Sequence, residues 1–408
     1  MKCRFCSKEL VNKLIDLGVS PPSNAYLDVS DLNGKEQEYP LKVMVCSSCW
    51  LVQTEDFLGA DKIFSKDYAY FSSYSSTWLD HSEAYVKMII KRLLLNKKSN
   101  VVEIAANDGY LLQYFKKEKI PCYGVEPTHS TAESARKKGI SIVENFFSLE
   151  LATDLSNSRN NADLIIANNV LAHVPDINDF ISGFSKLLKP TGIATFEFPH
   201  LLNLINKKQF DTIYHEHYSY LSLISLDVIF KSHGLVIFDV EELSTHGGSL
   251  RTYVQKIDSG SHQVSKSVQR IIKKERQSGM DKVSFYENFQ LEAERIKQNF
   301  VDFLVKSKKE GFKVAAYGAA AKGNTIMNFS GVGNDLIHCI ADRNKAKQGK
   351  YMPGSRIPIV NETELLDYKP DYVIIFPWNI KNEIIAQLSC IRDWNGTFVT
   401  IQPEIDFQ

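Results

Sequence analysis

The chain has 408 residues, 44% of them hydrophobic and 24% charged, with 48 Lys and Arg against 48 Asp and Glu. That length exceeds one ordinary hydrophobic core and predicts two or three folded domains. Balanced charge excludes the broad basic face of a typical nucleic-acid binder, and no run approaches the roughly 18 apolar residues of a membrane helix.

The first segment, MKCRFCSKEL, has no apolar stretch of the signal-peptide kind. The expected location is therefore cytoplasmic, where thiols stay reduced. Cys3 with Cys6 (CRFC) and Cys46 with Cys49 (CSSC) form two C-x-x-C knuckles. Four thiolates so arranged match a closed tetrahedral zinc shell, which leaves no open position for chemistry and predicts a structural metal. A redox pair is the alternative, but neither pair opens a helix after a thioredoxin-like strand. The 39 residues between the knuckles exceed usual ribbon spacing, and LGVSPPSNAYLD is expected to fill the gap as a loop or hairpin. Cys122, Cys339 and Cys390 read as small core residues.

Residues 65–85, SKDYAYFSSYSSTWLDHSEAY, are dense in aromatic and hydroxyl side chains. They either enter the helical pattern AYVKMIIKRLLL through serine caps or form a polar lid over a neighbouring site.

From Asn100 strands and helices alternate, as in a mostly parallel sheet with ligands at the strands' carboxyl ends. The strand patterns are NVVEIAAND, PCYGVEP, ISIVENFF, ADLIIANNVLAHV and GIATFEFP. The first places Glu103 in a strand and Asp108–Gly109 at the turn into a helix, with Ala105 and Ala106 small enough for close backbone approach. A G-x-G-x-x-G fingerprint is absent. About twenty residues on, Glu126 ends the second strand, where a carboxylate can accept both hydroxyls of a ribose. The spacing favours nucleoside binding over an ordinary α/β turn with an exposed acid.

FDTIYHEHYSYLS, Phe210 to Ser222, then gathers His215, Glu216, His217 and three tyrosines. It is not a zincin, whose ligands need i, i+4 spacing. Read as extended, it points His215 and His217 one way and Tyr214 and Glu216 the other. A neutral imidazole accepts a proton near pH 7, which suits abstraction next to a carbonyl. A glutamate can fix its tautomer, and a tyrosine hydroxyl can bond a developing enolate.

LDVIFKSHGLVIFDVEELSTHGGSLRTYVQKI predicts a helix and two strands closing the first sheet. Residues 261–310 predict a charged helical connector. A second α/β unit starts at FKVAAYGAAAKGNTIMNF, where Gly318 and Gly323 have P-loop spacing but Asn324 replaces the required lysine. That excludes an NTPase. A pyrophosphate cradle with Lys322 stays open, against a tight turn with no ligand.

Together, the paired knuckles, the central sheet, FDTIYHEHYSY, THGGSLR and YGAAAKGNT closely resemble, over essentially the whole chain, the nucleotide-sugar C-methyltransferases of tetronitrose and mycarose biosynthesis. Here EIAANDG replaces the commoner E-x-G-x-G of class I S-adenosylmethionine-dependent methyltransferases. The resemblance implies an α/β architecture: a zinc-binding lobe (1–65), a Rossmann-like methyltransferase domain (66–260), the connector (261–310) and a second Rossmann-like, nucleotide-sugar-binding domain (311–408). It implies methylation at C3 of a nucleoside-diphosphate 4-keto-deoxysugar, dTDP- or GDP-linked, by a monomer without nucleic-acid or membrane partners. His217 would be the general base, supported by Glu216 and Tyr214, with His173 lining the sugar pocket and Tyr68 above the sugar. Glu103, Ala105, Asn107, Asp108, Gly109, Glu126, Asn168 and Asn169 would bind the cofactor. Tyr70, Lys322, Gly323, Asn324 and Arg343 would contact the substrate, and the four cysteines would hold zinc away from chemistry. The rivals are an O- or N-methyltransferase, a zinc-containing epimerase or isomerase, and a zinc-knuckle nucleic-acid binder.

Overall fold

The computed structural model describes residues 1–59 and 71–408, so Tyr68 and Tyr70 lie outside the described residues. Antiparallel strands β1 (Asn12–Ser20), β2 (Tyr39–Val45) and β3 (Val52–Thr54) follow the first knuckle and flank the second. Parallel strands β4 (Val101–Ile104), β5 (Cys122–Val125), β6 (Ser141–Val143), β7 (Ala162–Asn168) and β8 (Leu188–Pro199) alternate with helices.

A two-residue strand, β9 (Ser219–Tyr220), then leaves the central domain and pairs with β3, completing the first sheet in the order β1-β2-β3-β9. Strands β10 (Leu235–Leu243) and β11 (Ser249–Lys256) return antiparallel to the central sheet, whose order is β10-β11-β8-β7-β4-β5-β6. The third sheet has β12 (Val314–Tyr317), β13 (Ile340–Ala341), β14 (Ile359–Val360), β15 (Tyr372–Ile375), β16 (Thr397–Thr400) and β17 (Asp406–Phe407). Its order, β14-β13-β12-β15-β16-β17, is parallel except for β17 and reverses direction between β12 and β15.

Local chemistry explains these elements. Helix Ile177–Leu187 buries Ile177, Phe180, Ile181, Phe184 and Leu187, an i, i+3, i+4 stripe, and Asp176 caps it by accepting from the Asp179 N–H. Phe184 meets Phe196 of β8 at 4.6 Å between ring centroids. In the connector, the buried Glu275 of helix Lys266–Gln277 accepts from the N–H groups of Leu223 and Ile224 (2.7 and 2.8 Å) and pairs with buried His200 at 2.8 Å. That carboxylate satisfies the first turn of helix Leu223–Ser232, whose orphan donors would otherwise be buried unpaired.

Helix Phe289–Lys309 inserts Phe289, Ala293, Ile296, Phe300 and Leu304 into a core shared by Leu14 and Val43 of the first sheet, Phe210 and Ile213, and Val314 of the third. One apolar cluster thus joins the first and third sheets around the segment that carries the histidines. Among the described residues, no helix is long and apolar enough to cross a membrane. Of the lone cysteines, Cys339 is buried and Cys122 half-buried, but Cys390 is exposed in a short helical turn, so the core expectation fails for Cys390.

Candidate active site

The turn after β4 does without its glycines. Ala105 and Asn107 have φ of +56° and +48°, the left-handed region that glycine adopts most readily, and Gly109 follows at +76°. They occupy the two glycine positions of E-x-G-x-G. Glu126, at the end of β5, accepts from the Asn107 N–H (2.9 Å), the Thr128 N–H (3.0 Å), and the Thr128 and Thr131 hydroxyls. It braces the turn through one oxygen and is anchored by threonines through the other. Burial still pushes its carboxyl up.

Ser72 donates its N–H to Asn107 Oδ1 (2.9 Å), and the Ser73 hydroxyl bonds Asp108, so residues just past the undescribed stretch lie on this turn. Asp108 also pairs with Lys138 at 3.2 Å. Asp108 Oδ1, Asn168 Oδ1 and Asn169 Oδ1 are buried without a hydrogen-bond partner among the described residues, and the Glu103 carboxylate is buried against the Tyr110 hydroxyl. Buried acceptors are ordinarily satisfied. Converging at the carboxyl ends of β4 and β7, they fit the ammonium and ribose donors of S-adenosylmethionine. Burial holds Glu103 well above the usual carboxylate range.

FDTIYHEHYSY is not extended through its histidines, and only Ser219–Tyr220 at its end form a strand. Phe210–Thr212 form a helical turn, and the His217 N–H bonds the Tyr214 carbonyl at 2.9 Å, closing a β-turn over 214–217. Positions i and i+3 therefore meet: the Tyr214 and His217 rings lie 3.9 Å apart. His217 Nδ1 donates to the Thr212 carbonyl at 2.7 Å, which leaves the lone pair on Nε2. Burial, then the neighbouring His173, push His217 well below its ordinary value, so it is neutral near pH 7.

His173, in the turn after β7, has its ring 4.7 Å from that of His217. Its Nδ1 donates to the Glu216 carbonyl at 2.8 Å, and burial lowers it to about 4. Sequence reasoning gave the tautomer of His217 to Glu216. Instead a backbone carbonyl fixes it, while the Glu216 carboxylate accepts from Ser23 (3.3 Å) and Asn24 (2.6 Å). His215 turns to the Tyr39 carbonyl at 3.1 Å. The tight turn, not a strand, decides these directions.

The PPSNAY segment between the knuckles is more than filler. Asn24 holds Glu216, and the Tyr26 hydroxyl donates to the Ala319 carbonyl at 2.7 Å, lacing the base turn to the third sheet. Gly318 (φ +91°) and Gly323 are packed against the loop after β15. A Cβ on Gly318 would meet Pro377 at 2.4 Å, and one on Gly323 would meet Phe376 at 2.7 Å. The glycines let the loop after β15 close over the switch between β12 and β15. Asn324 is buried and accepts from Asn328, and Arg343 is exposed beside Glu362 at 3.7 Å. Lys322 leaves the turn in another direction, donating to Asn379 Oδ1 (2.5 Å) with its ammonium 4.1 Å above the Trp378 ring.

Three groups escaped sequence reasoning. Asp211 is buried and accepts from Trp378 Nε1 at 2.6 Å, with its carboxyl pushed up to about 6 by burial. His246, at φ +51° in THGGSLR, accepts from Asn169 Nδ2 at 3.2 Å and is lowered to about 4 by burial. Glu197, at the end of β8, takes Arg251 at 2.6 Å and His81 at 2.9 Å, and these hold its carboxyl low despite burial. The signals were present: an acid and an unpaired tryptophan in FDT and FPWN, and a histidine before two glycines.

In the zinc lobe, one ligand atom from each of Cys3, Cys6, Cys46 and Cys49 lies within 4.8 Å of the others, with Cys3–Cys49 at 3.6 Å and Cys6–Cys46 at 3.5 Å. Tetrahedral zinc, with Zn–S about 2.3 Å, sets sulfurs about 3.8 Å apart, so the four residues fit the ion. Gln53 donates to Cys3 Sγ at 3.2 Å. Arg4, inside the first knuckle, donates to the Pro175 and Thr54 carbonyls (both 2.7 Å), and the Thr54 hydroxyl donates to the His217 carbonyl at 2.9 Å.

A Rossmann-like sheet with a braced turn after its first strand, beside a four-cysteine cluster, is the architecture of an S-adenosylmethionine-dependent methyltransferase carrying a structural zinc site. Family models agree part by part: a domain described as zinc binding matches residues 3–64, a methyltransferase domain 78–240 and a C-methyltransferase C-terminal domain 244–403. C-methyltransferase NovU of Streptomyces niveus is 32% identical over 403 residues, 99% of this chain and 96% of that protein. The chain belongs to the C-methyltransferase family, and carbon is the atom it methylates. This sets aside the O- and N-methyltransferase, isomerase and nucleic-acid readings. Among solved structures, the PH0226 protein of Pyrococcus horikoshii OT3 is 15% identical (TM-score 0.38), covering 46% of this chain and 95% of that one. Magnesium protoporphyrin IX methyltransferase of Synechocystis PCC 6803 is 15% identical (TM-score 0.34), covering 44% and 82%.

Proposed function

We propose that the protein methylates C3 of a nucleoside-diphosphate 4-keto-deoxysugar. The observation that carries this reading is His217: a neutral imidazole whose Nδ1–H is committed to the Thr212 carbonyl, so that Nε2 is the proton acceptor. Methyl transfer to carbon needs a carbanion, and a ketone beside the carbon makes its proton acidic enough for imidazole. His217 Nε2 takes the C3 proton, and the electron pair moves into the C4 carbonyl as an enolate. S-adenosylmethionine supplies the electrophilic methyl as its sulfonium.

Tyr214 packs against the base with its ring tilted by 33° and restrains its plane. His173, adjacent and also low in basicity, keeps a second positive charge out of the pocket. Glu126 holds the cofactor turn, and Glu103, Asp108, Asn168 and Asn169 present acceptors to the cofactor. The zinc lobe orders the Thr54 hydroxyl that anchors the His217 carbonyl.

The test is one mass-spectrometric reaction in heavy water with S-adenosylmethionine and a panel of dTDP- and GDP-4-keto-deoxyhexoses. A product gaining one methyl on carbon supports the reading and identifies the nucleotide. Absence of both methyl and deuterium at C3 across the panel refutes the substrate class.

A further inference from the structure

Deprotonation by a buried, weakly basic imidazole transfers negative charge to the substrate oxygen. In a low-dielectric site that charge needs a fixed, preorganised partner. The base turn supplies a proton acceptor and packed rings but no cation. The nearest source is the third sheet.

Lys322 leaves the first turn of helix Ala321–Ser330 and lies over Trp378, whose indole is held by Asp211, the neighbour of the Thr212 whose carbonyl takes His217 Nδ1, so its ammonium stands beside the turn that carries His217. Two contacts aim it, Asn379 Oδ1 at 2.5 Å and the Trp378 face at 4.1 Å, and Asp211 in turn holds the Trp378 indole by its N–H at 2.6 Å. Asp211 and Thr212 are adjacent, so one helical turn positions both the base, through the Thr212 carbonyl, and the cation, through Trp378. Gly318 and Gly323 let Pro377 and Phe376 pack against the turn, which brings Trp378 and Asn379 to Lys322.

We propose that Lys322 is a catalytic residue whose ammonium donates to the enolate oxygen formed when His217 removes the neighbouring carbon's proton. The proposal rests on the function proposed above. The C–H bond breaks to His217 Nε2, and its electron pair becomes the enolate π system with negative charge on oxygen. Lys322 bonds that oxygen without giving up its proton. When carbon attacks the methyl group the carbonyl re-forms, and His217 returns its proton to water.

Burial lowers Lys322 to about 8, against the opposing pull of Asp211. The groups facing it are Asp211, His217, His246, Trp378 and Asn379. An ammonium is required, so turnover should fall as pH rises through about 8. Neutralising Asp211 removes the group that favours the charged lysine and should move that alkaline limb to lower pH.

The test compares wild type, Lys322→Met, Lys322→Arg and Asp211→Asn, each checked for fold by circular dichroism. The readouts are carbon deuteration in heavy water without methyl donor, and calorimetric binding of thymidine or guanosine diphosphate alone. Lys322→Met should lose roughly 100-fold or more in deuteration, the usual scale for removing one oxyanion donor, with nucleotide affinity within about threefold. Lys322→Arg should recover part of the rate, because it restores charge. Parallel loss of nucleotide affinity would overturn the proposal in favour of a diphosphate contact, and unchanged deuteration would overturn it outright. If Lys322→Met does not fold, a fixed alkaline limb in Asp211→Asn serves as the refuting result. If wild type deuterates no 4-keto sugar, the parent reading fails, and this proposal with it.

Discussion

Replacing His217 by Asn tests the base most directly. The asparagine amide can still donate to the Thr212 carbonyl, which His217 Nδ1 holds at 2.7 Å, so the turn keeps its tie. What disappears is Nε2 and the ring contact with Tyr214 at 3.9 Å. The lost contact is worth about 0.5–1.5 kcal/mol, a modest drop in stability. The lost base should slow proton abstraction by roughly 10²–10⁴-fold, or about 3–5 kcal/mol of barrier. S-adenosylmethionine affinity should hold, because Glu103 and Glu126 sit on other strands.

The assay is deuterium entry at carbon, methyl transfer, and cofactor binding measured on the same preparation. In wild type the acid limb of the rate should lie below pH 6.5: burial disfavours the imidazolium, so the neutral base persists as pH falls through its ordinary range. Deuteration within about threefold of wild type in His217→Asn would refute the assignment and point to His173.

Other substitutions test the supports. Gly109→Ala places a Cβ 2.4 Å from Ile140 at φ +76°; it should weaken cofactor binding at least tenfold and lower the melting temperature, both read by calorimetry. Cys3→Ser should release zinc and unfold the first lobe, since an incomplete thiolate shell loses metal; metal analysis and circular dichroism check it. Arg251→Met leaves Glu197 buried without its guanidinium partner, held by His81 and the Thr245 hydroxyl, and should cost about 3–5 kcal/mol in denaturant unfolding.

Regular periodicity made much of this protein legible. Buried four-residue runs such as VVEI in β4 and YVII in β15 have one strand reading, and two C-x-x-C knuckles have few alternatives to a metal. The turns were harder. Tyr214–His217 reads as a strand by composition, but a single i to i+3 hydrogen bond reverses it and exchanges which side chains meet. Ala105 and Asn107 hide a glycine-type turn, because left-handed backbone is not written in residue type when Glu126 and its neighbours hold the loop in place. Gly318 and Gly323 have phosphate-loop spacing but serve close packing against Pro377 and Phe376, partners more than fifty residues away. Asp211, His246 and Trp378 become neighbours only through the third sheet, a long-range contact that no local pattern encodes.

Strand β9 sets an order of assembly. Val52 and Gln53 pair with Tyr220 and Ser219, so the zinc lobe's sheet stays open at one edge until the ribosome has made the chain through Tyr220. At about 5–20 residues per second, that is roughly 10–30 s of synthesis with an unpaired strand at the chain's leading end. Metal capture by four thiolates can precede this step, because the knuckles need only the first fifty residues. The ion then acts as an early clamp on a nascent edge, and the last residues to join it are those that hold the base in place.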